Sequence, residues 1–157
     1  MRKIELHTLI ETYDSVEELD RHDKLLIAKA EEAREFAYAP FSNFKVGAAL
    51  LMENNHIVLG NNQENSSFPA GTCAERTAAS SAASQYPNVA IKTIAVVTSD
   101  TESTDPTAPC GICRQTLVDL EQRFKQPIRI ILKSGTGRVI IIKSAHDLMP
   151  LAFVLIK

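Results

Sequence analysis

The chain has 157 residues, 45% of them hydrophobic and 23% charged, the balance of one soluble globular domain with a substantial core. A formal net charge of −2 gives no general attraction to phosphate backbones or anionic membranes, and no apolar run approaches the ~18 residues of a membrane span. The N-terminal MRKIELHTLIETYDSVEEL has no continuous apolar stretch and is too acidic for a transit peptide, and three cysteines are too few for a disulfide scaffold, so the chain reads as cytoplasmic.

Residues 4–13 are mixed in character and read as a short strand or an extended arm, and Ser15 with Glu18 has the spacing of a capping box. From Asp23, Leu26, Ala30, Ala33 and Ala37 recur on one helical face, and Pro40 closes that helix. The runs 44-FKVGAALLM-52 and 56-HIVLG-60, joined by an Asn-rich turn, predict a hairpin, and 61–72 a polar loop. An Ala-rich helix is expected from about Cys73 to Gln85. The apolar run 90-AIKTIAVVT-98 predicts a strand buried on both faces. A second helix is expected from Cys110 to about Phe124, then a strand pair at 128–133 and 138–143, and a short helical tail over 145–153. This order predicts an α/β protein, a three-layer α/β/α sandwich with a mixed sheet. No internal repeat or low-complexity linker is present.

The cysteines fall where loops meet helix starts, in 72-TCAERTA-78 and 109-PCGIC-113. Unpaired N–H groups and the positive end of the helix dipole favour thiolates there. The C-x-x-C step puts Cys110 and Cys113 on one side of a first turn, after the rigid Pro109. With Cys73 they make three ligands and leave a fourth tetrahedral position open, as in a catalytic zinc site. A thioredoxin-type redox pair would leave Cys73 unexplained, a structural zinc would want a fourth ligand, and three unrelated buried cysteines would not explain the motif contexts. His7, His22, His56 and His146 stand in no ligand motif. Glu75, two residues from Cys73, is too close for easy co-ligation but near enough to shuttle protons as a general acid and base. Against this stands an acid that serves only the helix dipole. Arg76, hydrogen-bonded to a thiolate, would offset part of the charge of three sulfurs, unless it is an ordinary surface arginine.

Cys73-Ala74-Glu75 together with Pro109-Cys110-Gly111-Ile112-Cys113-Arg114-Gln115 resembles the zinc-dependent cytidine deaminases of the homotetrameric, three-cysteine type. The resemblance runs from about Ala28 to Phe153 and takes in 38-YAPFSNFKVGAALL-51, 62-NQEN-65 and 148-LMPLAF-153. It implies a five-stranded mixed sheet with helices on both sides, in a single catalytic domain over residues 23–157. Residues 1–22 are left as an N-terminal extension without a role. It further implies that Cys73, Cys110 and Cys113 bind Zn2+ and that Glu75 shuttles protons. Asn62 and Glu64 would bind the ribose 3′-hydroxyl, the backbone of Ala74 and the carbonyl before Pro109 would read the base edge, and Phe44 would pack near the nucleoside. Phe153 matches the aromatic that closes a neighbouring subunit's site.

Phe68 stands where the family usually has tyrosine, which removes one hydroxyl contact between subunits. The implied reaction is hydrolytic deamination of cytidine and 2′-deoxycytidine to uridine and 2′-deoxyuridine, with release of ammonia, in pyrimidine salvage. An anionic Glu64 would repel a 3′-phosphate, and no basic, aromatic-interleaved stripe is present, so a free nucleoside rather than a nucleic acid is the expected partner. The rivals are a blasticidin-type deaminase, against which Glu64 argues, and a non-catalytic zinc module, against which Glu75 argues.

Overall fold

The computed structural model describes residues 1–155. The elements are β1 (Ile10–Tyr13), a 3-10 turn (Val16–Glu18), α1 (Arg21–Glu35), β2 (Val46–Met52), β3 (Ile57–Asn61), α2 (Ala74–Gln85), β4 (Ile91–Thr98), α3 (Gly111–Phe124), β5 (Arg129–Lys133), β6 (Val139–Ile142) and a closing 3-10 turn (Ala145–Leu148). The sheet order is β1-β6-β5-β4-β2-β3. β4 and β5 run parallel, joined through α3, and the other pairs are antiparallel.

Alternation along the strands sorts the core into two faces. Ala48, Leu50, Ile94, Val96, Ile130 and Leu132 pack towards α2 and α3. Ala49, Ala95, Val97, Ile131, Val139 and Ile141 pack towards Leu26, Ile27 and Ala30 of α1. The Leu26, Ala30, Ala33 and Ala37 stripe is buried as its spacing requires. α1 starts behind Asp20, whose carboxylate accepts from His22 N at 2.8 Å and Asp23 N at 2.9 Å. Asp23 then takes both guanidinium nitrogens of Arg129 at 2.6 Å, which fixes α1 to β5. The Ser15/Glu18 capping box forms around the 3-10 turn.

Two glycines set how closely the helices approach. A Cβ on Gly47 would lie 2.0 Å from Ala30 O, and one on Gly60 would lie 2.4 Å from Ala78 N and 2.5 Å from Ala74 O. Any side chain at Gly60 would therefore push away the first turn of α2.

Two expectations are corrected. The sheet has six strands, not five, because Ile10–Tyr13 pairs antiparallel with β6, from Ile10 opposite Ile142 to Tyr13 opposite Val139. The extra strand comes from the segment set apart as an extension, and it satisfies an edge of β6 that would otherwise be open. The helical tail over 145–153 shrinks to Ala145–Leu148. Pro150 has no N–H to donate and disfavours helical backbone at Met149, which sits at φ −144° and ψ 72°, and Leu151 turns left-handed at φ 59°.

Glu121 of α3 is buried, and its carboxylate collects Ile128 N at 2.6 Å, Ala145 N at 2.7 Å, Ser144 Oγ at 3.0 Å and His146 N at 3.2 Å. One side chain thus ties α3 to the start of β5 and to the closing turn. Glu121→Ala strands these donors and is expected to cost about 3 kcal/mol in urea unfolding. Glu121→Gln, which keeps an acceptor oxygen, is expected to lose less.

Candidate metal centre and its cavity

Cys73 and Cys110 occupy equivalent places: each is the N-cap residue of its helix, extended at ψ 156° and 165°, and neither side chain caps the backbone. Their sulfurs are thus left free for another partner. Cys113 lies in the first turn of α3 and is buried. The Sγ atoms of Cys73 and Cys110 are 3.8 Å apart, those of Cys110 and Cys113 3.6 Å, and all three lie within 4.8 Å of one another. Zn–S bonds of about 2.3 Å in a tetrahedron put sulfurs ~3.8 Å apart, so the donor set suits zinc.

Crowding leaves a clear electrostatic mark. The Cys73 thiol is lowered to about 6, first by its hydrogen bond with Cys113, against the opposing effects of burial and of Glu75. Cys113 is pushed far up, first by the same bond and then by burial. The sulfurs share too few positive partners, and a divalent cation is the group that would let all three ionise. Arg76 makes no hydrogen bond to any of these sulfurs among the described residues, and its charge lowers Cys73 only through space. Arg114, by contrast, has fixed contacts: it donates from Nε to Pro109 O at 2.8 Å and from one terminal nitrogen to Leu148 O at 3.0 Å.

Glu75 sits in the first turn of α2, buried. Burial raises its carboxyl above the usual carboxylate range, offset in part by its own backbone N–H and by the Cys113 thiol.

A cavity of about 370 Å³ opens beside these groups, a size suited to a small organic ligand. Cys73, Ala74, Glu75, Cys110, Phe44, Asn62 and Glu64 all line it. No Lys, Arg or His lines it among the described residues. Asn62 is held from both ends of its amide, with Oδ1 accepting from Val46 N at 2.8 Å and Nδ2 donating to Phe44 O at 2.9 Å. Phe153 does not line the cavity of its own chain. The residue is 70% exposed, while Gln115 Nε2 donates to its carbonyl at 2.8 Å. Phe68, also exposed, meets Phe41 edge-on with centroids 5.6 Å apart.

Sequence reasoning missed Ser42, Thr72, Val96, Thr98 and Thr107, which also line the wall. Val96 and Thr98 lie at the C-terminal end of β4, where open α/β sheets bind ligands, and that rule could have found them. Ser42 carried no such signal, because its partner is the distant Glu64.

Residues 20–125 match the family model described as the cytidine and deoxycytidylate deaminase zinc-binding region. A Halalkalibacterium halodurans protein named cytidine deaminase is 46% identical over 97 residues, 62% of this chain and 70% of its own length. A Sporosarcina psychrophila protein of the same name is 49% identical over 94 residues, 60% of this chain and 66% of its own. The crystal structure of cytidine deaminase from Burkholderia pseudomallei superposes with a TM-score of 0.73 at 42% identity, covering 86% of this chain and all of that one.

Because the folded carboxyl of Glu75 is raised, the metal-free protein loses stability as pH climbs from the ordinary carboxyl pKa through the folded one. Glu75→Gln is therefore expected to raise the melting temperature of chelator-treated protein at pH 8. The gain should vanish near pH 4, where the ordinary carboxyl is largely protonated in both states. An equal gain at both pH values would contradict a buried, ionising carboxyl.

Proposed function

Since the chain belongs to the cytidine and deoxycytidylate deaminase family, we propose that it hydrolyses cytidine and 2′-deoxycytidine to uridine and 2′-deoxyuridine with release of ammonia, in pyrimidine salvage. The observation that carries this reading is one cavity lined by Cys73, Cys110, the buried Glu75, Asn62 and Glu64, with the buried Cys113 sulfur within 4.8 Å of the other two. Cys73, Cys110 and Cys113 would hold the zinc, and a domain over residues 23–157 would carry the activity.

Zinc bound there supplies Lewis acidity, which makes water a competent nucleophile near neutral pH. A water oxygen adds to C4 of the pyrimidine, and ammonia leaves from the same carbon. Glu75 carries the first water proton to N3. It then carries the second, from the new C4 hydroxyl, to the departing amino nitrogen, so that the product keeps the N3 proton and a C4 carbonyl. A carboxyl raised by burial suits both halves of this task, because it gives up a proton as readily as it takes one. The N–H of Ala74 sits at the first helical position, where the helix has no acceptor for it, and the Ala108 carbonyl precedes Pro109 on the cavity wall. They offer one donor and one acceptor to the base edge. Phe44 gives the ring an apolar wall, and Asn62 and Glu64 take the ribose.

Within the family the nucleoside is favoured over deoxycytidylate. Both charged side chains of the cavity wall are acids, and among the described residues no Lys, Arg or His lines it to hold a phosphate. The same feature disfavours nucleic acid. We take the enzyme to be cytoplasmic and homotetrameric, with Phe153 closing a neighbour's site, a reading supported by its exposure outside its own cavity.

Purified protein is expected to carry one zinc per chain and to turn over cytidine but not dCMP, followed by loss of cytosine absorbance. Zinc-loaded protein that leaves cytidine and deoxycytidine untouched would refute the reading. Glu75→Gln should keep its zinc and lose turnover. Phe153→Ala should lower kcat/KM about tenfold, the size of one lost aromatic contact, with zinc content unchanged. A monomeric mass by light scattering would rule out the shared site.

A further inference from the structure

Glu64 is not left to find its own orientation. Its Oε2 accepts from Phe41 N at 2.8 Å and from Ser42 N at 3.3 Å, and its Oε1 accepts from Ser42 Oγ at short range. All three donors come from one turn just ahead of β2. That turn is set by Asn43, left-handed at φ 56°, whose N–H returns to Ala39 O at 3.0 Å. The Ser42 hydroxyl also accepts from Phe44 N at 3.0 Å, so one of its two lone pairs is occupied and its proton is committed to Glu64. The backbone around Phe44 is in turn gripped by Asn62 at Phe44 O and Val46 N. Ser42, Phe44, Asn62 and Glu64 are therefore one hydrogen-bonded unit on one wall of the cavity.

A carboxylate offers about four acceptor directions, and three are taken. The rotamer is thereby fixed, and the direction that remains is the one available to a ligand. An exposed glutamate without these bonds would sample several rotamers and would lose conformational freedom on binding.

We propose that Ser42 is a positioning residue for sugar recognition: its hydroxyl locks the Glu64 carboxylate so that the remaining acceptor meets the ribose 3′-hydroxyl. This rests on the nucleoside reading given above and adds a residue that acts through Glu64 rather than by touching the reacting atoms. Losing Ser42 should cost only substrates that carry a 3′-hydroxyl, whereas a merely structural residue would cost all substrates alike.

The test compares kcat/KM for cytidine and 3′-deoxycytidine in the zinc-loaded wild type, Ser42→Ala, Glu64→Gln and the double variant, with zinc content as a check on folding. The wild type should prefer cytidine, and Glu64→Gln should remove most of that preference. Ser42→Ala should reduce it about tenfold, the scale of one hydrogen bond to a charged group, mainly through KM for cytidine. In the Glu64→Gln background, Ser42→Ala should change nothing further. Ser42→Ala lowering both substrates equally, or leaving the preference intact while Glu64→Gln removes it, would overturn the role of Ser42 alone. A preference that survives Glu64→Gln would overturn the ribose reading of Glu64, and the proposal with it. No turnover of either substrate by the wild type would instead refute the deaminase assignment.

Discussion

The N-termini of α2 and α3 have to arrive side by side before the cavity can do any chemistry, because each delivers a cysteine from its N-cap position. Their meeting is set by small residues. Gly60 on β3 lets the backbone of Ala74 and Ala78 come into direct contact with the sheet, and Ala74, Ala78, Ala79 and Ala82 are all buried along that seam. α3 follows the parallel β4 and precedes β5, so its start lies at the C-terminal end of β4 beside the start of α2. Two positive helix ends then face three sulfurs, an arrangement that suits thiolates and the cation they would bind.

Around that convergence the protein uses carboxylates in three distinct ways. Glu121 is buried with a full set of donors and holds the framework. Glu75 is buried with few donors, and its carboxyl is raised accordingly. Glu64 is half-buried and held by three donors, and its carboxyl is lowered, first by the Ser42 hydroxyl. Environment, not residue type, separates a structural acid, an acid raised by burial and a fixed anion.

Much of this was legible in the sequence because the chemistry is local. Cys73 and Glu75 are two residues apart, Cys110 and Cys113 three, and a loop entering a helix orients each set without help from the rest of the chain. The five apolar strands announce themselves by their runs. β1 does not: it has four residues with an alternating, half-exposed pattern, and it is a strand only because β6 offers an edge. The tail looked helical by composition, but Pro150 decided otherwise. The two arginines show the limit most clearly. Arg76 stands next to the acid in sequence yet bonds no sulfur, whereas Arg114, with no role legible in its motif, joins the loop before Cys110 to the C-terminal turn. Ser42 escaped notice for the same reason, since its partner is twenty-two residues away.

β1 also bears on the order in which the molecule can be built. Among the described residues it is the first strand and it pairs with the last, Ile10 against Ile142. During synthesis Ile10–Tyr13 must wait, without its partner, until Val139–Ile142 has been made. β2 with β3, by contrast, can close as a local hairpin at once. Completion of the sheet is thus a late, long-range event, and loop closure of that span slows folding rather than weakening the finished structure.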